Sequence, residues 1–295
     1  MTILIADSGS TKTDWIVCNT ETHYQARFAT AGLNPCLMDD ASITCLLAEE
    51  VAPQIKATGS EASADVETST SIAHVHFYGA GCRPDQIERM QRLIGSVLHA
   101  TSVSVASDLL GAAHALCGHE AGIVAILGTG SGSAVYNGEC FTAQTPSLGY
   151  ILGDEGSGAV LGRRLVSDLY KRALPERLLQ SFEEEQQTTL NDVIHNVYRA
   201  PSANRYLAQF TRFISAHLDD ADVRNLVVDE FQRFFTRNCS AYNRSDLAVN
   251  FVGSIAHVFR CELQEAAYKT GFTIGRILPS PIESLTEFCL AEHSL

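Results

Sequence analysis

Apolar and polar positions along this chain fall into two repeated designs joined by helical stretches. Residues 1–18 hold an apolar run, Ile3-Leu4-Ile5-Ala6, a knot of small polar residues from Asp7 to Asp14, and a second apolar run, Trp15-Ile16-Val17-Cys18. Two apolar runs flanking small turn residues predict a β-hairpin. Residues 122–136 repeat the design: the strand Gly122–Leu127, the turn Gly128-Thr129-Gly130-Ser131, and a return through Ala134-Val135-Tyr136. Two such hairpins in one chain predict a duplicated domain.

Between and after them the pattern predicts further elements. A strand begins near residue 24 and leads into the loop Ala31-Gly32-Leu33-Asn34-Pro35, where the proline holds Asn34 extended. Ile43, Leu46, Leu47, Val51 and Ile55 recur at helical spacing over 39–56, with Asp40 or Ser42 as cap. Thr58–Ser71 reads as a flexible surface loop, and Ile72–Tyr78 as a strand with a glycine-rich exit, Gly79-Ala80-Gly81-Cys82. A helix over 84–98, a strand over 102–106 and a helix over Leu109–Leu116 follow. Helices are expected at Ala159–Tyr170, across much of 175–245 and at 284–295, with a strand, a Gly253-Ser254 turn and a helix between 247 and 259.

Composition narrows the classes. The 295 residues are 45% hydrophobic and 19% charged, enough for one large or two smaller folded domains. A net charge of −13 argues against nucleic acid or an anionic membrane as the main partner. No apolar run reaches the length of a membrane span, and a strand, not a signal segment, opens the chain. The nine cysteines are scattered without a C-x-x-C pair, as expected of reduced thiols in a cytoplasmic protein.

The candidate chemistry lies in the polar turns. Gly9 permits close backbone approach, Ser8, Ser10, Thr11 and Thr13 bring hydroxyls, and Lys12 brings a positive charge, so the first turn suits phosphate. Asp7, at the mouth of its strand, is placed to hold Mg²⁺ through its water shell. The same residues also make an ordinary exposed turn. Asp108 has two readings as well, an N-cap with Ser107 or a carboxylate where open α/β sheets place their chemistry. Neither hairpin fits the P-loop or the Rossmann fingerprint. Gly153-Asp154-Glu155-Gly156 either complements a helix dipole or faces a ligand; its glycines favour the ligand. His74 and His76 share a strand face, but no third ligand has a suggestive spacing.

The order of these parts resembles the sugar kinase/Hsp70/actin superfamily. Within it the chain is similar to the N-acetylglucosamine kinases of the BadF/BadG ATPase group over nearly its whole length, most specifically at Asp7–Asp14, Ser107–Asp108, Leu127–Ser133, Gly149–Ser157 and Val252–Ala256. The resemblance implies an α/β, two-lobed actin-like ATPase fold of duplicated ribonuclease H-like domains around a central cleft. The expected lobes are 1–106 and 107–281, with 282–295 free to return to the first.

The same resemblance implies transfer of the ATP γ-phosphoryl group, with Mg²⁺ on Asp7, to an N-acetylated amino sugar such as N-acetylglucosamine. Gly9, Ser10, Thr11, Lys12 and Thr13, with Gly128, Thr129, Gly130 and Ser131, would hold the phosphates. Gly253 and Ser254 would line the adenosine pocket. Asp108 would take the proton of the sugar hydroxyl, and Asn34, Thr129, Gly149 and Asp154 would join it in binding the sugar.

Some features depart from the family. Leu127-Gly128 stands where actin-like relatives have an aspartate, and Gly79–Cys82 lacks the hydroxyl-rich sequence of some sugar kinases. The alternatives are an N-acetylmuramic acid kinase with Arg83 as partner of the lactyl carboxylate, a dehydratase-activator ATPase, or a nucleotide-binding regulator. The activator would need cluster-holding cysteines, and the regulator a helix-turn-helix that has no room before Met1. A homodimer is compatible with all of them.

Overall fold

The computed structural model describes residues 1–9, 11–22, 24–61 and 72–293. It divides into two compact units, Met1–Gly118 with Pro281–Leu295, and His119–Ser280. Each contains one five-stranded mixed sheet.

In the first unit, β1 (Thr2–Ser8), β2 (Lys12–Asn19) and β3 (Tyr24–Ala31) form an antiparallel meander. β4 (Ile72–Gly79) and β5 (Ser102–Ser107) then add in parallel beyond β1, giving the order β3-β2-β1-β4-β5. β1 is central and buried on both faces, which is why Ile3-Leu4-Ile5-Ala6 is continuously apolar. Trp15 anchors one face, stacked on Phe28 at 6.0 Å and donating Nε1–H to Thr30 Oγ1.

The second unit repeats this topology. β6 (Gly122–Leu127), β7 (Ser131–Tyr136) and β8 (Phe141–Gln144) form the meander. β9 (Val249–Val252) and β10 (Ile274–Leu278) add in parallel beyond β6. The expected duplication is therefore a duplication of strand order. Phenylalanines dominate this core, with Phe182, Phe210, Phe213, Phe231, Phe234, Phe235, Phe251 and Phe259 all buried.

Several expected boundaries move. The helix Asp108–Cys117 belongs to the first unit, because it packs on β1, β4, β5 and the terminal helix Ile282–Glu292, so the division falls after Gly118 and not after residue 106. Asp39, not Asp40 or Ser42, caps the helix Asp40–Leu46 between β3 and β4 by accepting the Ser42 N–H at 2.8 Å. That helix passes through one π turn at Leu47–Val51 and runs to Glu61, beyond the expected start of a loop; residues 62–71 lie outside the described residues. β8 and β10 have no counterpart in the sequence reading, being four and five residues long. Among the described residues no helix is long and apolar enough to cross a membrane.

Candidate active site

The first unit gathers its carboxylates at the C-terminal edge of its parallel strands. Asp7 on β1 pairs in register with Tyr78 on β4, and Gly79 with Ser107 at the end of β5. Two strand spacings, about 10 Å, separate β1 from β5. In the Ser-Asp step the capping role falls to the serine. Ser107 is the cap, accepting the Leu110 N–H at 3.2 Å, and Asp108 is the first helical residue, its Oδ1 accepting the Leu109 N–H at 2.9 Å.

Asp7 and Asp108 are half-buried and electrically coupled. Burial, then the charges of Asp108 and Asp14, push the Asp7 carboxyl up to about 7, with Lys12 pulling the other way. Burial likewise raises Asp108 against the lowering effect of the Leu109 N–H. A divalent cation held at Asp7 would relieve the cost of this negative charge, to which Asp108 and Asp14 add.

The first hairpin tip works differently from its expectation. Ser10 lies outside the described residues. The Gly9 N–H donates to Lys12 O at 2.9 Å, so Gly9 shapes the turn and its N–H is not aimed outward. Thr13 is fully buried: its hydroxyl lies 2.8 Å from Ser8 Oγ and donates to Ala31 O. It braces the hairpin from within, which corrects its placement among phosphate-binding hydroxyls. Thr11 and Lys12 are exposed at the tip, Lys12 Nζ lying 2.8 Å from Asp14 Oδ1.

Asn34 stands beside the glycine-rich exit of β4. Its Oδ1 accepts the Cys36 N–H at 3.0 Å, and its side chain lies directly over Gly81. The sequence reading treated these two segments separately. Arg83, the expected partner of a sugar carboxylate, is exposed at the N-cap of the helix Pro84–Leu98.

In the second unit, three separate stretches meet at the second hairpin. Its first glycine also closes the turn, Gly128 N–H donating to Gly130 O at 3.0 Å. The carbonyls of Gly128 and Thr129 accept the Gly158 and Ala159 N–H groups at the start of the helix Gly158–Tyr170. Asp154 accepts the Ser131 N–H, and its Oδ2 lies 3.0 Å from where a Cβ on Gly130 would be. Burial raises the Asp154 carboxyl, Glu155 adding to this and Ser131 N–H and Arg163 opposing it. Gly253, at φ +123°, closes the group: a Cβ there would stand 2.3 Å from Leu127 O, so only glycine fits. Ser254 follows, exposed at the first position of a short helix.

A cavity of about 230 Å³ opens beside Asp154, bounded by Ser131, Thr145, Leu148, Glu155, Arg237 and Asn238. Gly149, at φ +73°, starts the exposed turn Gly149–Leu152 on its rim, with Ile151 69% and Leu152 71% exposed. Arg237 and Asn238 were missed by the sequence reading, because nothing local distinguishes them from other polar residues on a helix. Leu127 is wholly buried in the core, so the departure from the actin-like aspartate leaves no metal ligand at that position.

His74 and His76 do gain a third histidine, His293, whose Nε2 lies 2.7 Å from that of His76. No group of three His, Cys, Asp or Glu residues among the described residues is arranged to hold a metal ion.

No protein-family model matches the chain, and no curated protein matches it. Solved structures do. A protein from Porphyromonas gingivalis, provisionally described as an N-acetylglucosamine kinase, is 44% identical, with 99% of each chain covered and a TM-score of 0.91. A Chromobacterium violaceum protein with the same provisional description is 15% identical, covering 97% of this chain and 98% of that one, with a TM-score of 0.75. A ROK family glucokinase from Streptomyces griseus, solved with glucose and AMPPNP, is 15% identical, covers 97% and 98%, and has a TM-score of 0.58. The last two similarities show the fold alone.

Proposed function

Because the chain belongs to the N-acetylglucosamine kinase family of actin-like sugar kinases, we propose that it transfers the γ-phosphoryl group of ATP to a hydroxyl of an N-acetylated amino sugar, converting N-acetylglucosamine to its 6-phosphate. The observation that carries this reading is Asp108, a half-buried carboxyl raised by its surroundings at the C-terminal edge of β5, beside Asp7.

Phosphoryl transfer of this kind needs positioning and charge neutralisation more than covalent help. Asp108 orients the attacking hydroxyl and accepts its proton as the new O–P bond forms and the bond to the ADP oxygen breaks. Its raised pKa suits a base, because a carboxylate closer to neutrality accepts a proton more readily. Asp7 would hold Mg²⁺, which supplies charge neutralisation to the phosphates when bound. Thr11 and Lys12 at the first tip, and Thr129, Gly130 and Ser131 at the second, bind phosphate; Gly9 and Gly128 let the backbone come close. Gly253 and Ser254 line the adenosine side. Asn34, Gly149 and Asp154 bind the sugar, Asp154 accepting from its hydroxyls.

One observation favours a second substrate. The cavity beside Asp154 carries a cation, Arg237, that could meet the lactyl carboxylate of N-acetylmuramic acid. Arg237 Nε already lies 2.6 Å from Glu155 Oε1, so this substrate would compete with a formed ion pair. ADP release from Mg·ATP against N-acetylglucosamine, N-acetylmuramic acid, N-acetylmannosamine and glucose tests the reading. Turnover on N-acetylglucosamine above the others is expected. Turnover on N-acetylmuramic acid alone would select the second substrate, and no turnover on any of the four would reject both.

A further inference from the structure

Glu230 is a fully buried carboxylate, 0% exposed, on the helix Ala221–Phe234, among Val227, Phe231 and Phe234. A charge in such surroundings is retained only with partners. Its Oε2 accepts from Arg164 Nη1 at 3.0 Å, and its Oε1 faces the Gly156 N–H at 3.4 Å. Gly156 is two residues after Asp154.

The loop that Glu230 reaches is held at three points by the helices beneath it. Arg163 donates to the carbonyls of Tyr150 and Ile151 at its start. Arg237 and Asn238 hold the Glu155 carboxylate in its middle, at 2.6 and 3.3 Å. Glu230 takes the Gly156 N–H at its end. Between these points Asp154 sits at φ +54°, in the left-handed region that few residues other than glycine, asparagine and aspartate adopt. Asp154 is thereby kept against the Ser131 N–H at the cavity's edge.

We infer that Glu230 is a positioning residue for sugar binding: it anchors the end of the loop so that Asp154 meets the sugar in one fixed geometry. The inference rests on the kinase reading above, in which Asp154 contacts the sugar. Glu230 touches neither substrate and acts through the loop alone. Its effect therefore falls first on the sugar side of the reaction and reaches the phosphate-binding hairpin only through the bond between Asp154 and the Ser131 N–H.

The test compares Michaelis constants for N-acetylglucosamine and for Mg·ATP in the wild type, Glu230→Gln and Glu230→Asp. Glu230→Gln cannot accept from both Arg164 and Gly156. Glu230→Asp keeps the charge for Arg164 but is one methylene too short for Gly156, so it separates reach from charge if the glutamine variant folds poorly. In both, KM for the sugar is expected to rise on the order of tenfold, with KM for Mg·ATP within about twofold of wild type. Added to Asp154→Asn, Glu230→Gln is expected to raise the sugar KM no further, since residues acting through one group are not additive.

A purely stabilising role would lower the folded fraction and the melting temperature while leaving the sugar KM of the folded enzyme unchanged. That result, or additivity in the Asp154→Asn background, overturns the inference and leaves the kinase reading standing. Wild-type protein that neither turns over nor binds an N-acetylhexosamine, by calorimetry, overturns both.

Discussion

Asn34 Oδ1 occupies the space that a side chain on Gly81 would need: a Cβ there would lie 2.1 Å away. Gly81 also sits at φ +80°, where an L side chain is strained. Gly81→Ala is therefore expected to displace Asn34 and to destabilise the protein by about 1–3 kcal/mol. Sugar KM should rise several-fold while KM for Mg·ATP stays level. Steady-state kinetics with a thermal melt reads both, and an unchanged sugar KM would separate Asn34 from sugar binding.

Asp108→Asn keeps the shape of the side chain and removes its basicity. A fall in kcat on the order of 10²–10⁴ is expected, the usual cost of losing a general base. Nucleotide binding, followed by fluorescence of a labelled ATP analogue, should be retained. Full kcat in this variant would remove Asp108 from the chemistry.

Asp7 carries opposite consequences for stability and activity. With its carboxyl raised to about 7, the metal-free folded protein holds a proton that the unfolded chain releases near the ordinary value of 3.8. Stability from this group is thus present at low pH and lost as pH rises from about 3.8 through about 7. Asp7→Asn removes the buried charge, so the metal-free variant should melt higher than wild type at pH 8. Activity should fall with it, and the Mg²⁺ concentration needed by the wild type should drop as pH rises through about 7.

The histidine row under the terminal helix gives a second pH signature. Burial, then the neighbouring His293, His74 and His114, hold His76 down at about 4; Ser104 lies 3.0 Å from its Nδ1. Here the unfolded state takes up protons near the ordinary value of 6.5 and the folded state refuses them. Stability should therefore be full above about 6.5 and decline as pH falls towards about 4. Urea titrations across this range should show a shallower decline for His76→Gln, and an identical slope would assign the loss to other groups.

Much of the architecture was legible locally. Continuous apolar runs such as Ile3–Ala6 and Gly122–Leu127 signal central strands, because burial on both faces removes any need for alternation. The repeated hairpin signals the duplication for the same reason, since each copy must solve the same burial problem. Asp108 was legible as a residue, but its two readings were separated only by the helix start, where Ser107 takes the capping bond and leaves the carboxylate beside Asp7.

What tertiary structure decided is which polar groups are used internally and which distant residues meet. Thr13 looks like a phosphate-binding hydroxyl in the turn, yet β3 supplies Ala31 O and claims it. Gly81 looks like a loop glycine until Asn34, nearly fifty positions earlier, lies across it. Glu230 had a local signal, a charge at a core position in line with Val223, Leu226, Val227 and Phe234, but its hydrogen-bond partners Arg164 and Gly156 lie more than sixty positions away. Sequence alone determined the longer strands, the turns and the candidate carboxylates, because hydrophobic period and turn chemistry act over a few residues. The folded chain decided their roles, because the cost of an unpaired buried polar group is settled by neighbours that only packing brings together.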